Sequence, residues 1–165
     1  MYIPFSDLDL EARIWIYQAN RELSKEENAI LTETLKSVLD NWEAHGKPLT
    51  ASGKVFEQRF VVIGVDERAE VPSGCSIDKS VHWLQQIGSQ MNVDFFDRSV
   101  AFVNENNEIA TIPVSKIKQA VTDETINGST TIYDNQVTTK AQWLNRWKSP
   151  ASHTWLSRYF SDQSV

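Results

Sequence analysis

Apolar positions recur along the chain with two periods, and each period predicts an element. Residues 13–19 (RIWIYQA) are β-branched, aromatic and partly alternating, which predicts a first strand. Ser24 followed by Glu27 has capping-box spacing. Leu31, Leu35, Val38, Leu39 and Trp42 then recur every three or four residues, so a helix is expected over 24–45, stopped by Gly46 and Pro48. The run 55–65 (VFEQRFVVIGV) turns from mixed to continuously apolar and predicts a central strand covered on both faces in its second half.

The stretch 66–74 (DERAEVPSG) is charged and broken by Pro72 and Gly74, as in an exposed connection. A second helix follows. Its apolar face is expected to carry Ile77, Val81, Leu84, Gly88 and Met91, opposite a polar face of Asp78, His82, Gln85, Gln86 and Ser89. Val100–Val103 and Ile109–Ile112 flank Asn104–Asn107 as a hairpin, and Ser115 is expected to cap a short helix through Val121. Thr130–Tyr133 predicts a strand, Thr139 with Gln142 caps a helix carrying Trp143, Leu144 and Trp147, and a last helix starts near Ser152. This order predicts an α+β (or α/β) fold, a mixed sheet with helices packed on it, in a single domain over 1–165.

Composition narrows the function classes. With 41% hydrophobic and 23% charged residues the chain reads as an ordinary globular domain. No apolar run approaches the roughly 18–20 residues of a membrane span, and the acidic start with Asp7 and Asp9 is unlike a secretory signal, so a cytoplasmic setting is expected. A formal charge of −6 disfavours nucleic acid, whose phosphates call for a basic face. Cys75 is the only thiol, so no internal disulfide forms. Two-fold dimers are common for domains of this size, which sets a homodimer as a base-rate expectation.

The richest chemistry sits at Ser73-Gly74-Cys75-Ser76-Ile77-Asp78-Lys79-Ser80-Val81-His82, a loop entering a helix. With Ser76 or Asp78 as cap, Cys75 would lie beside unpaired backbone N–H groups and the positive end of the helix dipole, which favours a thiolate. Asp78 and His82 are four residues apart on one helical face, so the carboxylate could orient the ring. His45 or His153 could equally arrive from elsewhere as the base. Helix capping accounts for the serines and Asp78 without any ligand.

Trp42 and His45 are explained by the end of the first helix. Gly46–Lys54 (GKPLTASGK) fails the phosphate-loop pattern in spacing and in the residue after the lysine, and no dinucleotide fingerprint, nucleophile elbow or zinc-protease motif occurs. No metal set is expected, because Cys75 with His82 lacks recognised ligand spacing, and no cofactor is predicted. Aromatics beside arginines in 143–147 and 155–160 suit either packing onto the sheet or an interaction surface.

The segments R-I-W-I-Y-Q-A-N-R-E-L at 13–23, N-W-x-A-H-G at 41–46, S-G-C-S-I-D-x-S-V-H at 73–82 and W-x-x-P-A-x-x-x-W at 147–155 span nearly the whole chain. In them the sequence resembles a family of short bacterial proteins with no assigned activity that often carry the automatic label "ABC transporter ATPase". The resemblance implies no established activity; the label suggests nucleotide binding, against which the missing phosphate loop counts, and the shared segments favour Cys75, Asp78 and His82, with Trp42 and His45, as the functional region. Together these readings lead to a binding or interaction domain with a ligand site among Ser73, Gly74, Cys75, Ser76, Asp78, Ser80, His82, Trp42 and His45. A thiol-dependent enzyme using Cys75 and a nucleotide-binding protein stand as the alternatives.

Overall fold

A computed structural model describes residues 1–160, and it is α+β. In chain order it has β1 (Arg13–Gln18), α1 (Lys25–Asp40), β2 (Glu43–Ala44), β3 (Lys47–Pro48), β4 (Ala51–Phe56), β5 (Phe60–Val65) and α2 (Gly74–Met91). Then come β6 (Val100–Val103), β7 (Ile109–Ile112), α3 (Ile117–Thr122), β8 (Thr131–Tyr133), α4 (Lys140–Arg146) and β9 (Lys148–Pro150), with short 3-10 turns between. The expected mixed sheet is realised as antiparallel sheets. Among the described residues parallel pairing is confined to the isolated bridges Tyr2–Ala51 and Gln18–Phe96; tight turns reverse the chain between β2 and β3, between β4 and β5 and between β6 and β7, and longer connections bring the other antiparallel pairs together. None of the described helices is long and apolar enough to cross a membrane.

Contacts resolve the chain into two compact units, the first built from Met1–Asp97 and Val137–Trp143. Its sheet runs β1-β5-β4, and every residue of β5 is buried, as the apolar run predicts for a covered central strand. Leu31, Leu35 and Leu39 of α1 and Leu84 and Ile87 of α2 pack on one face, against Val61, Ile63 and Val65. On the other face the rings of Phe5, Phe56 and Trp143 meet at centroid distances of 4.6–5.2 Å. The buried Lys140 ammonium there donates to the carbonyls of Phe5 (2.8 Å), Leu8 (2.6 Å) and Ser6 (3.3 Å).

Three expectations in this unit are corrected. The helix from Ser24 keeps its reciprocal capping box with Glu27 but ends at Asp40, not residue 45. Trp42 has left the helix and turned inward, while His45 (φ 52°) and Gly46 (φ 77°) form the left-handed tip of the β2–β3 hairpin rather than a helix cap. The strand expected over 55–65 is a hairpin, β4 to β5, turning through Glu57 (φ 55°) and Gln58 (φ 53°). Neither turn residue is one that favours φ > 0, and tertiary bonds hold the turn in place. Leu23 N–H donates to Gln58 O (2.7 Å) and Ala19 N–H to Arg59 O (2.8 Å).

The second unit comprises Arg98–Gln136 and the described residues from Leu144 to Phe160. Its sheet runs β7-β6-β8-β9, and its core joins Val100, Phe102 and Ile132 to Ile117 and Val121 of α3, Ile126, Ala151 and Leu156. The β6–β7 hairpin forms as predicted. The helix expected from Ser115 instead starts as a 3-10 turn, Val114–Lys116, and becomes α3 without a side-chain cap. The last helix is two 3-10 turns, Ala151–His153 and Trp155–Tyr159.

Candidate functional site

Helix α2 positions most of the candidate residues, and its cap is Ser73 rather than Ser76 or Asp78. Ser73 Oγ accepts from Ser76 N–H (3.1 Å) and Ser76 Oγ accepts from Ser73 N–H (3.2 Å), a capping box in which serine takes the place of Glu or Gln. Ser76 Oγ spends its one proton on Glu43 O (2.8 Å), so in the 2.8 Å contact between the two hydroxyls Ser73 donates. Trp42 Nε1 donates to Ser76 O (2.9 Å), and its buried ring lies edge-on to Trp15 and Trp83. Ser80 Oγ donates to Ile77 O (2.6 Å). Burial pushes the nearby Tyr17 phenol up, and a hydrogen bond with Ser80 partly offsets this.

These bonds rotate the buried face of α2 from the expected one. Ser76, Ser80, Leu84, Ile87 and Gly88 face inward, while Ile77 and Val81 are only half-buried. Two small serines, their hydroxyls satisfied internally, let the helix come close to Trp42. Apolar periodicity passes over such positions. Ser73, Ser76, Ser80 and Trp42 are therefore committed to the scaffold.

Gly74, Cys75, Asp78 and His82 are exposed. Cys75 is the second residue of an 18-residue helix, within the turn whose N–H groups lack helical partners. Among the described residues no hydrogen bond joins Cys75, Asp78, His82 or His45 to one another. His45 stands exposed at the hairpin tip, and His153 is exposed in its 3-10 turn. No group of three or more His, Cys, Asp or Glu among the described residues could hold a metal ion. Gly46–Lys54 lies in the β2–β3 turn, β3 and β4, not at a helix start where a phosphate loop would sit.

The exposed stripe Cys75, Asp78, His82, Gln85, Ser89 advances by three and four residues and runs the length of α2. It ends at a groove of about 530 Å³ lined by Asn20, Gln85, Ser89, Asn92, Asp94 and Phe96, among others. Gly88 makes the turn tight here, since a Cβ would collide with Val93 O, and Asn92 ends the helix in the left-handed region (φ 56°). Asn20 and Asp94 are fixed by mutual bonds. Asn20 N–H donates to Asp94 O (2.9 Å), Asp94 N–H to Asn20 Oδ1 (3.0 Å) and Phe96 N–H to Asp94 Oδ1 (2.8 Å).

Those bonds leave Asn20 Nδ2 and Asp94 Oδ2 without an intramolecular partner among the described residues. A second groove, of about 430 Å³, runs along α1 past Tyr2. Its polar groups are largely paired with one another: Lys36 with Glu33, Asn41 with Ser37 O, and Tyr2 N–H with Asp40. The α2 groove is not legible in the sequence because Asn20 and Asp94 are 74 positions apart and meet only through the fold. No family model, curated protein or solved structure matches the chain.

Proposed function

We propose that the protein is a binding domain whose recognition surface is the outer face of α2, with a small polar ligand seated at the groove end of that face. One observation carries this reading: the exposed stripe from Cys75 to Ser89 leads into a groove of a size ordinary for small-molecule sites, where fixed Asn20 and Asp94 offer an unspent donor and acceptor. Among the described residues of unit 1, Cys75 has no hydrogen bond to His45, Asp78 or His82, which favours binding over catalysis. A reduced single thiol fits the cytoplasm as the setting.

The test is amide chemical-shift mapping with pools of small polar metabolites. Perturbations at Asn20, Gln85, Ser89 and Asp94 that vanish in Asn20→Ala and in Ser89→Trp are expected. Hits that map elsewhere on the surface, or none from any pool, would end the reading. A thiol-dependent enzyme is the second reading, favoured by an exposed Cys75 in the first turn of a long helix. Reaction of Cys75 with a thiol reagent from about pH 5 to about pH 9 separates the two, since a reactive thiolate needs a titration well below roughly 8.5.

A further inference from the structure

The edges of the two larger sheets differ in the backbone groups they leave open to a further strand. Along β1 the outward positions are Ile14, Ile16 and Gln18; Ile14 N–H donates to Thr138 O (2.9 Å) and Gln18 O accepts from Asp97 N–H (3.2 Å), so the flanking segments bracket Ile16 between them. Along β4 the outward positions are Ala51, Gly53 and Val55; Ala51 is bonded through both its groups, by Met1 O (3.0 Å) and Ile3 N–H (2.8 Å), and Gly53 is buried, which leaves the single half-buried Val55 beside the turn. In β9, Asp134 N–H to Trp147 O and Ala151 N–H to Thr130 O fix the register so that the outward positions are Lys148 and Pro150, a charge and a residue with no N–H.

β7 has no such protection. Asn104 N–H donates to Glu108 O (2.8 Å), so with the observed register Ala110 and Ile112 bond to β6, while Ile109 and Thr111 turn their N–H and C=O groups outward. Both residues are half-buried, neither has a backbone partner on that side among the described residues, and Ile-Ala-Thr-Ile contains no charge and no proline. The flanks are charged in opposite senses. Glu105 and Glu108 precede the strand and Lys116 and Lys118 follow it, all exposed and with no ion pair among the described residues.

We propose that β7 pairs with β7 of a second copy of this chain, antiparallel about a two-fold axis that passes by Ala110. This register joins Ile109 of each copy to Thr111 of the other, using all four outward groups on each strand. It also places the acidic approach of one copy beside the basic exit of the other, whereas a parallel pairing would set like charges together. The contact closes on itself and leaves no open edge to propagate. Val114, 46% exposed just past the strand, lies where the partner's turn would cover it. A four-residue seam is small, so the dimer is a weak, concentration-dependent one.

The test combines sedimentation of the full chain from about 10 µM to about 1 mM, a range suited to small interfaces, with hydrogen exchange at single amides. The expected result is a dimer fraction rising with concentration, with exchange slowing at Ile109 and Thr111 and unchanged at Ala110. Thr111→Lys is expected to weaken the dimer at least about tenfold, and Glu108→Lys to weaken it less, with recovery in Glu108→Lys/Lys116→Glu. The charge pair stays informative should the strand variant fold poorly. A chain that remains monomeric throughout, with Ile109 and Thr111 exchanging fast at every concentration, overturns the proposal. So does a dimer that a folded Thr111→Lys leaves intact, or one the charge exchange fails to restore.

Discussion

The two units close their structures by different means. Unit 1 depends on bonds between residues remote in sequence: Lys140 to Phe5 and Leu8 across 135 and 132 positions, Met1 and Ile3 to Ala51, and Trp42 to Ser76. Unit 2 has a smaller core, contains one local hairpin, β6–β7, and leaves the edge of β7 bare. Charge divides the same way. Unit 2 has equal numbers of acidic and basic residues by sequence, so the formal charge of −6 resides in unit 1. In unit 1 distant segments cover the sheet edges, and no such segment reaches β7 among the described residues.

Four measurements bear on this difference between the units. The largest effect is expected from Trp42→Ala, which empties a buried indole site and orphans Ser76 O. A loss of about 3–5 kcal/mol is expected in urea unfolding, with amide protection lost first in α2 and β5. Lys140→Met removes the donor shared by three carbonyls. A cost of roughly 2–3 kcal/mol is expected, read as faster exchange in β1 and β4 with β6 and β8 spared. Equal losses in both units would dissolve the distinction.

The third concerns the Arg21–Glu27 ion pair at the start of α1, where Arg21 also donates to Met91 O at the end of α2 (2.9 Å). The Arg21 guanidinium, and after it the Ser24 amide, hold the Glu27 carboxyl down at about 2 from an ordinary 4.5. Because the folded value is depressed, this stabilisation is complete above the ordinary value and is lost as pH falls from about 4.5 towards about 2. Arg21→Ala should flatten that part of the acid unfolding curve followed by circular dichroism. The smallest effect is a gain. Gln58→Gly relieves a left-handed glutamine and should stabilise unit 1 by about 0.4–1 kcal/mol in thermal unfolding. The β6–β7 turn already uses Asn107 (φ 60°), a residue tolerant of that region, and should gain less from the same change.

Local signals in the sequence were legible where one turn of chain contains both partners. The Ser24–Glu27 box, strand β1 and the hairpin around Asn104–Asn107 are of this kind. Signals failed where distant residues decide. Glu57-Gln58 has no turn chemistry and is bent by bonds to Leu23 and Ala19, so a hairpin read as one strand. Ser73 was passed over as cap because its reciprocal partner is serine, and Trp42 continued an apolar stripe it had already left. Of the candidate site, the exposure of Asp78 and His82 followed from helical spacing. The groove did not, because Asn20 and Asp94 meet only through the fold.

The clasp made by Lys140 also bears on how the chain folds as it is synthesised. Unit 1 begins at Met1 but receives its last pieces, the strand bridge at Thr138–Thr139 and the Lys140 ammonium, only after all of Arg98–Gln136 has been made. At elongation rates of about 5–20 residues per second, the carbonyls of Phe5 and Leu8 wait several seconds for their donor. During that interval the β1 edge is open at Ile14. A chaperone that recognises exposed strands would find the β1 edge only until Thr138 has been made, whereas the edge of β7 stays accessible afterwards.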